Sequence, residues 1–428
     1  TALTGALNEA ADAVILLSRD AGAGTPSNLY AATYRHETGA WIEHAAPLEH
    51  FDEAFTDVQV AMDRAGNAIA IWDQRDANQS RNIYASRFHA VRGWDAQPTR
   101  ISLDHAAANN PAIAMDDAGN LTVIFSQREF QLPGQGSALN GVYANRFDAL
   151  SGRWAEQPLK LQSPNATTSL ETNMRLGVDG QGRVMAAWRR FDGVATRIMA
   201  NLFDPATGWA LDASVTVDSL DWTTTMQEHD LPTLAVNRQG SAVIAWAVYD
   251  PQGHPYRQMR HVRAALGSTA NLAAWRAAAA VSGADDSQNL GSPPRLGIDA
   301  AGRAAALWMR LPTQGSDAPA GIRFSKLLDR QANAWNPEQA VPLPAGNGLG
   351  ALSMGVDAEG NLLVLHQHND VETNVLRAGR YDALTQQWVE LEAPTKEATD
   401  LPWLRARPDG RAMAVWRQGQ RIFASFFR

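Results

Sequence analysis

The chain of 428 residues contains no cysteine. Disulfides, thiolate metal sites and cysteine nucleophiles are therefore excluded outright. Positive charge is also short: 37 Lys and Arg stand against 45 Asp and Glu, a net charge of −8. That balance, with no basic run anywhere, argues against nucleic acid and anionic lipid as partners. No apolar stretch approaches the ~20 residues that a membrane-spanning helix needs, so no transmembrane segment is expected. Common catalytic signatures are missing too. There is no G-x-S-x-G elbow, no H-E-x-x-H helix, no G-x-x-x-x-G-K-[ST] loop and no G-x-G-x-x-G after a strand. D-x-[DN]-x-[DN]-G is absent as well, which argues against calcium loops. No cofactor and no metal are expected.

What the chain does have is a repeat. An apolar residue, Ala or Gly, an apolar residue, Asp or Asn, two variable residues and Gly are followed by five residues and Trp. The block reads Val60-Ala61-Met62-Asp63, Gly66, Trp72, then Ile113-Ala114-Met115-Asp116, Gly119, Phe125. It returns at Asp179, Gly182, Trp188; at Asn237, Gly240, Trp246; at Asp299, Gly302, Trp308; and at Asp357, Gly360, His366. Degraded copies keep the spacing at Ala11 and Leu17 and at Gly410 and Trp416. The acid or amide, two loop residues and Gly suit a tight turn, in which Gly supplies positive φ. The run after it, such as Asn67-Ala68-Ile69-Ala70-Ile71-Trp72, is nearly all apolar and reads as a strand covered on both faces.

A second block follows at variable distance: Ile83-Tyr84-Ala85-Ser86-Arg87-Phe88, Val142-Tyr143-Ala144-Asn145-Arg146-Phe147 and Ile198-Met199-Ala200-Asn201-Leu202-Phe203. Another turn leads to a second Trp slot, at Trp41, Trp94, Trp154, Trp209, Trp275, Trp335 and Trp388. Four antiparallel strands per unit, repeated radially, describe a propeller blade. The expectation is an all-β chain forming one closed eight-bladed β-propeller over 1–428, with seven blades if the degenerate first copy is not a true inner strand. Approximate blades are 1–50, 51–104, 105–164, 165–220, 221–284, 285–345, 346–396 and 397–428. The last unit ends after its third strand.

The pattern D-x-x-G-N-x-x-x-x-W, then x-Y-A-x-R-F and G-x-W, resembles the propeller repeats of uncharacterised bacterial envelope proteins. That resemblance spans essentially the whole chain and implies the fold and export, with no defined activity. A looser similarity links Tyr143-Ala144, Asp148, Ser151-Gly152 and Trp154 to the eight-bladed quinoprotein dehydrogenases and the related outer-membrane assembly lipoprotein. The vicinal cysteines typical of those dehydrogenases are impossible here, and the likeness reads as shared turn physics. The chain starts at Thr1 without Met, which is read as a mature exported protein.

Twelve of fourteen Trp residues occupy the two repeated slots, where they are expected to wedge between blades or cap sheets. Trp222 and Trp403 fall outside. Trp222, in a polar loop beside Glu228, His229 and Asp230, is a candidate contact residue. Past the first Trp slot, polar or charged residues recur at Arg19, Arg75, Arg128, Arg190, Arg310, His368 and Gln418. A ring of guanidiniums could grip a carboxylate or phosphate. The alternative is pairing with neighbours such as Asp20, Asp76, Glu129 and Asp192, and that structural pairing is favoured. His366 and His368 share one face of a strand, as metal-ligating pairs do, but no third ligand is evident.

Variable loops on a rigid repeat frame usually carry specificity, notably Glu129 to Asn140 and Pro251 to Arg257. The reading is a non-catalytic binding or scaffold protein of the bacterial envelope or exterior that presents a loop face to a protein or glycan. The candidate ligand-binding residues are Trp222, His229, Arg75, Arg128, Arg190, Arg310 and His368, with none catalytic. The alternative is a carbohydrate-active enzyme, hydrolase or lyase, with an axial active site. Two facing carboxylates with perturbed acidity would mark it.

Overall fold

The structure, a computed structural model, describes residues 3–19, 25–51, 53–103, 107–128, 140–161, 170–211, 213–221, 227–250, 258–283, 289–290, 293–311, 321–343, 348–369, 374–392, 395, 399–407, 409–419 and 421–427. Among them are strands and turns and no helix, hence no helix long and apolar enough to cross a membrane. The strands form eight antiparallel sheets, the blades of an eight-bladed β-propeller. Leu3–Leu7 pairs with Ala13–Arg19, so the degraded first copy is a true first strand and the count is eight, not seven. The eighth sheet has three strands, Asp400–Ala406, Ala412–Gln418 and Arg421–Phe427.

Two compact units are distinguished. The first comprises 1–193 and 201–214, the second 194–200 and 215–428. In the first unit the inner strands Leu3–Leu7, Phe55–Met62, Ala108–Met115 and Leu170–Val178 stand side by side. In the second the same holds for Glu228–Val236, Arg295–Ile298, Gly348–Val356 and Asp400–Ala406.

The recurring turn is built as its residues dictate. Gly66 sits at φ +82° and donates its N–H to Asp63 O. One Asp63 carboxylate oxygen accepts from Asn67 N at 2.8 Å. The amide of Asn67 then accepts from Ala90 N, tying the turn to the following hairpin. Asp116 with Asn120, and Asp357 with Asn361, repeat the arrangement. This is the physical content of D-x-x-G-N: the acid closes the turn and the amide anchors the next one.

After the turn, the second strands are sealed on both faces. Trp72, Phe125, Trp188, Trp246 and Trp308 are fully buried. Trp72, Phe125 and Trp308 fill the space between neighbouring sheets, as Trp72 does among Val14, Leu16, Leu29 and Tyr84. The second Trp slot is half-buried throughout and, where the block ends in an aromatic, packs on it, as with Phe147 and Trp154 at 5.5 Å.

The inner strands carry a feature the repeat does not announce. Opposite Trp72, two residues, Asp57 and Val58, face one: a β-bulge. Asn110 and Pro111 do the same opposite Phe125, and Asn173 and Met174 opposite Trp188. Asp57, Asn110 and Asn173 adopt φ of +50°, +53° and +55°. Asp and Asn tolerate this left-handed conformation better than other residues with side chains. Three neighbouring strands thus present a row of short polar side chains at one strand end.

Candidate functional site

A group of charged side chains, Asp57, Asp73, Arg81 and Arg175, lies at that bulge row. Asp73, at the end of the buried second strand, is wholly enclosed. One of its oxygens accepts from the Thr56 hydroxyl and from Arg81 Nη1 at 2.9 Å. Arg81 also donates to Thr56 Oγ1 at 2.8 Å. The other Asp73 oxygen has no partner. Arg81 remains about a third exposed, so the buried carboxylate holds a guanidinium that reaches solvent.

Asp57 stands beside this pair and is exposed. Crowding by the surrounding protein pushes its carboxyl above the usual aspartate range, and the charge of Asp73 pushes the same way. Arg81, a hydrogen bond from the Asn110 backbone and Arg175 pull it back in part. Inner-strand links brace the row: Gln59 donates to Pro111 O at 2.5 Å and Arg175 to Met174 O at 2.7 Å. The outcome is an accessible acid in a left-handed bulge, whose pKa is raised first by desolvation and then by the charge of Asp73.

Glu171 adds a second perturbed acid in the same unit. It is 4% exposed, and burial raises it to about 7 even though Arg190 Nε lies 3.4 Å away. Its second oxygen has no partner. Glu171 is sealed from solvent.

The residues expected from sequence are scattered. Arg75 is exposed and bonds Gln79 at 3.4 Å, and Arg128 is exposed at its strand end. Arg190 pairs with Glu171, while Arg310 lies 3.8 Å from Glu338, which Arg323 approaches at 3.9 Å. Pairing therefore prevails for Arg190 and Arg310, though with other acids than expected. Asp76 instead caps its own turn through Asn78 N and Ser80 N. Asp20 and Glu129 lie outside the described residues, as do Trp222, 129–139 and 251–257.

His229 is fully buried in the second unit. Its Nδ1 lies 3.0 Å from Thr196 O and its Nε2 3.1 Å from Asp218 Oδ2, which also accepts from Arg263 at 2.9 Å. The ring meets Trp246 edge-on at 5.8 Å. Both ring nitrogens are engaged, which suits a tie between strands. His366 and His368 lie 6.2 Å apart in a stacked pair, both buried. Burial, then His368 and Arg377, lower His366 to about 4. Among the described residues no group of three metal-ligating side chains exists.

No protein-family profile matches the chain, and no curated protein matches it either. Solved structures do match in fold. One is an ulvan lyase described as a new family of polysaccharide lyase, bound to -[GlcA(1-4)Rha3S]-. It has a TM-score of 0.54 at 11% identity and covers 84% of this chain and 89% of that one. Another is the polysaccharide lyase Uly1, with a TM-score of 0.51 at 9% identity, covering 84% of this chain and 87% of that one. At such identity the likeness establishes the frame alone.

These frames correct the expectation of a non-catalytic binder or scaffold: the matching propellers are polysaccharide-cleaving enzymes. The reason it misled is physical. A contiguous catalytic motif is absent from the sequence, while the acids with raised pKa, Asp57 and Glu171, stand on inner strands of separate repeats.

Proposed function

We propose that the protein is a carbohydrate-active enzyme that cleaves glycosidic bonds of a polysaccharide, with Asp57 as the proton donor. The observation that carries this reading is the raised pKa of exposed Asp57 beside buried Asp73. The departing glycosidic oxygen needs a proton as its bond to carbon breaks, and a carboxyl with a raised pKa can supply it, while the carbon side takes up water in hydrolysis or gives a neighbouring proton to a base in elimination. Asp73 and Thr56 hold Arg81 in place, so these are positioning residues. Arg81 and Arg175 supply fixed positive charge for acidic groups on the glycan. The frame shared with polysaccharide lyases supports this reading. A glycan polymer as substrate fits a protein exported to the envelope or exterior of a bacterium, where such chains are met.

The test is a panel of neutral and uronate-containing polysaccharides, monitored for new reducing ends and for the ultraviolet band of an unsaturated uronate. New ends without the band indicate hydrolysis; new ends with it indicate elimination. Asp57→Asn is expected to lower kcat on the order of 10²–10⁴-fold with KM little changed. No new ends from any polymer, or full activity in Asp57→Asn, would overturn the assignment.

A further inference from the structure

The Arg of the Y-A-x-R-F block latches neighbouring sheets. Arg87 lies 4.9 Å from the ring centre of Phe147, and Arg146 lies 4.5 Å from that of Phe203. Arg146 is charge-balanced by the turn acid Asp116 at 2.9 Å. In the second unit the same position holds Lys326. Its ammonium lies 5.6 Å from the ring centre of Tyr381 and donates to the Tyr381 hydroxyl at 3.1 Å.

Two features mark this position. First, a lysine cannot fork to ring and acid together as arginine does. The turn acid Asp299 is taken by Arg303 at 2.5 Å instead, and Lys326 has no carboxylate partner among the described residues. One positive charge is left over. Second, a cleft of about 180 Å³ lies beside the ammonium. Phe324, Leu327, Val356, Leu362 and Tyr381 form its apolar wall, and the mutually paired Asp299 and Arg303 line it together with Lys326, so that Lys326 is its one cation without a carboxylate partner. A cavity of ~150 Å³ lined by such side chains accepts a benzene ring. An ammonium has three N–H donors, and only one is spent on Tyr381.

We propose that this cleft binds a small single-ring carboxylate, with the ring against Phe324 and Leu362 and the carboxylate on the Lys326 ammonium. The site is separate from the Asp57 row and does not depend on it. The ring could be aromatic or a sugar acid, and the probes separate the two. The full chain is titrated calorimetrically with benzoate against benzamide, and with glucuronate against glucose. In at least one pair the acid is expected to bind roughly tenfold tighter or more than its neutral counterpart. Lys326→Met, with an unchanged melting temperature, is expected to erase that preference. Lys326→Arg, which restores the latch seen at Arg146, is expected to fill the cleft and lose binding while the fold is kept. Equal binding of acid and neutral probe in both pairs, or a preference that survives in a folded Lys326 variant, would refute the proposal.

Discussion

Glu171 and Arg190 face each other across two strands of the fourth sheet, with 3.4 Å between carboxylate and guanidinium, yet the acid titrates near 7. Burial outweighs the ion pair. The unfolded chain releases this proton near 4.5, whereas the folded chain holds it to about 7. Stability from this group is therefore intact below the lower value and is lost as pH rises through the window, by about 3 kcal/mol in all. Glu171→Gln cannot titrate. Denaturant unfolding from pH 5 to 8 should show the variant gaining on the native protein across that window and holding level above it. The loss of the ion pair adds only a constant offset. A flat difference would mean that water reaches Glu171 more freely than its burial implies.

Close approach of inner strands gives a second expectation. A methyl group on Gly355 would lie 3.0 Å from the backbone nitrogen of Ala406 in the next strand, while on Gly297 it would meet the side chain of Val356. Backbone cannot yield; a side-chain tip can. Gly355→Ala should cost about 1–3 kcal/mol, as overpacking does, and trimming Ala406 to Gly should restore only part of it. Gly297→Ala should be largely rescued by Val356→Ala. Urea unfolding of the four variants measures both, and a Gly355→Ala protein as stable as the parent would contradict the packing.

The frame was far more legible in the sequence than the site, because frame residues recur and site residues do not. Asp63, Gly66 and Trp72 have counterparts in nearly every blade, since each blade must close the same turn and fill the same gap. Asp57 has only two left-handed polar equivalents, Asn110 and Asn173, each six residues before the turn acid. An Asn or Asp at that offset was the available signal, but β-bulges leave no periodic trace in hydrophobicity. His229 and Arg190 stood out by residue type, while burial decided their roles. Such burial depends on neighbouring sheets that a single repeat cannot reveal.

The last expectation concerns the acid itself. If Asp57 delivers the proton, activity must fall as pH rises past its acidity constant, because only the protonated form can donate. Asp73 helps to set that limit, since its charge opposes ionisation of Asp57. Asp73→Asn removes the opposing charge and releases Arg81 from its 2.9 Å bond to the carboxylate. Both changes favour ionised Asp57. The basic limb of the kcat/KM profile should therefore move to lower pH in Asp73→Asn, and the rate at its acidic plateau should fall far less than in Asp57→Asn. A structural role for Asp73 would lower the whole profile without moving the limb. A limb that stays in place, measured on a variant with native melting behaviour, would separate Asp73 from proton transfer and leave Asp57 without its controlling neighbour.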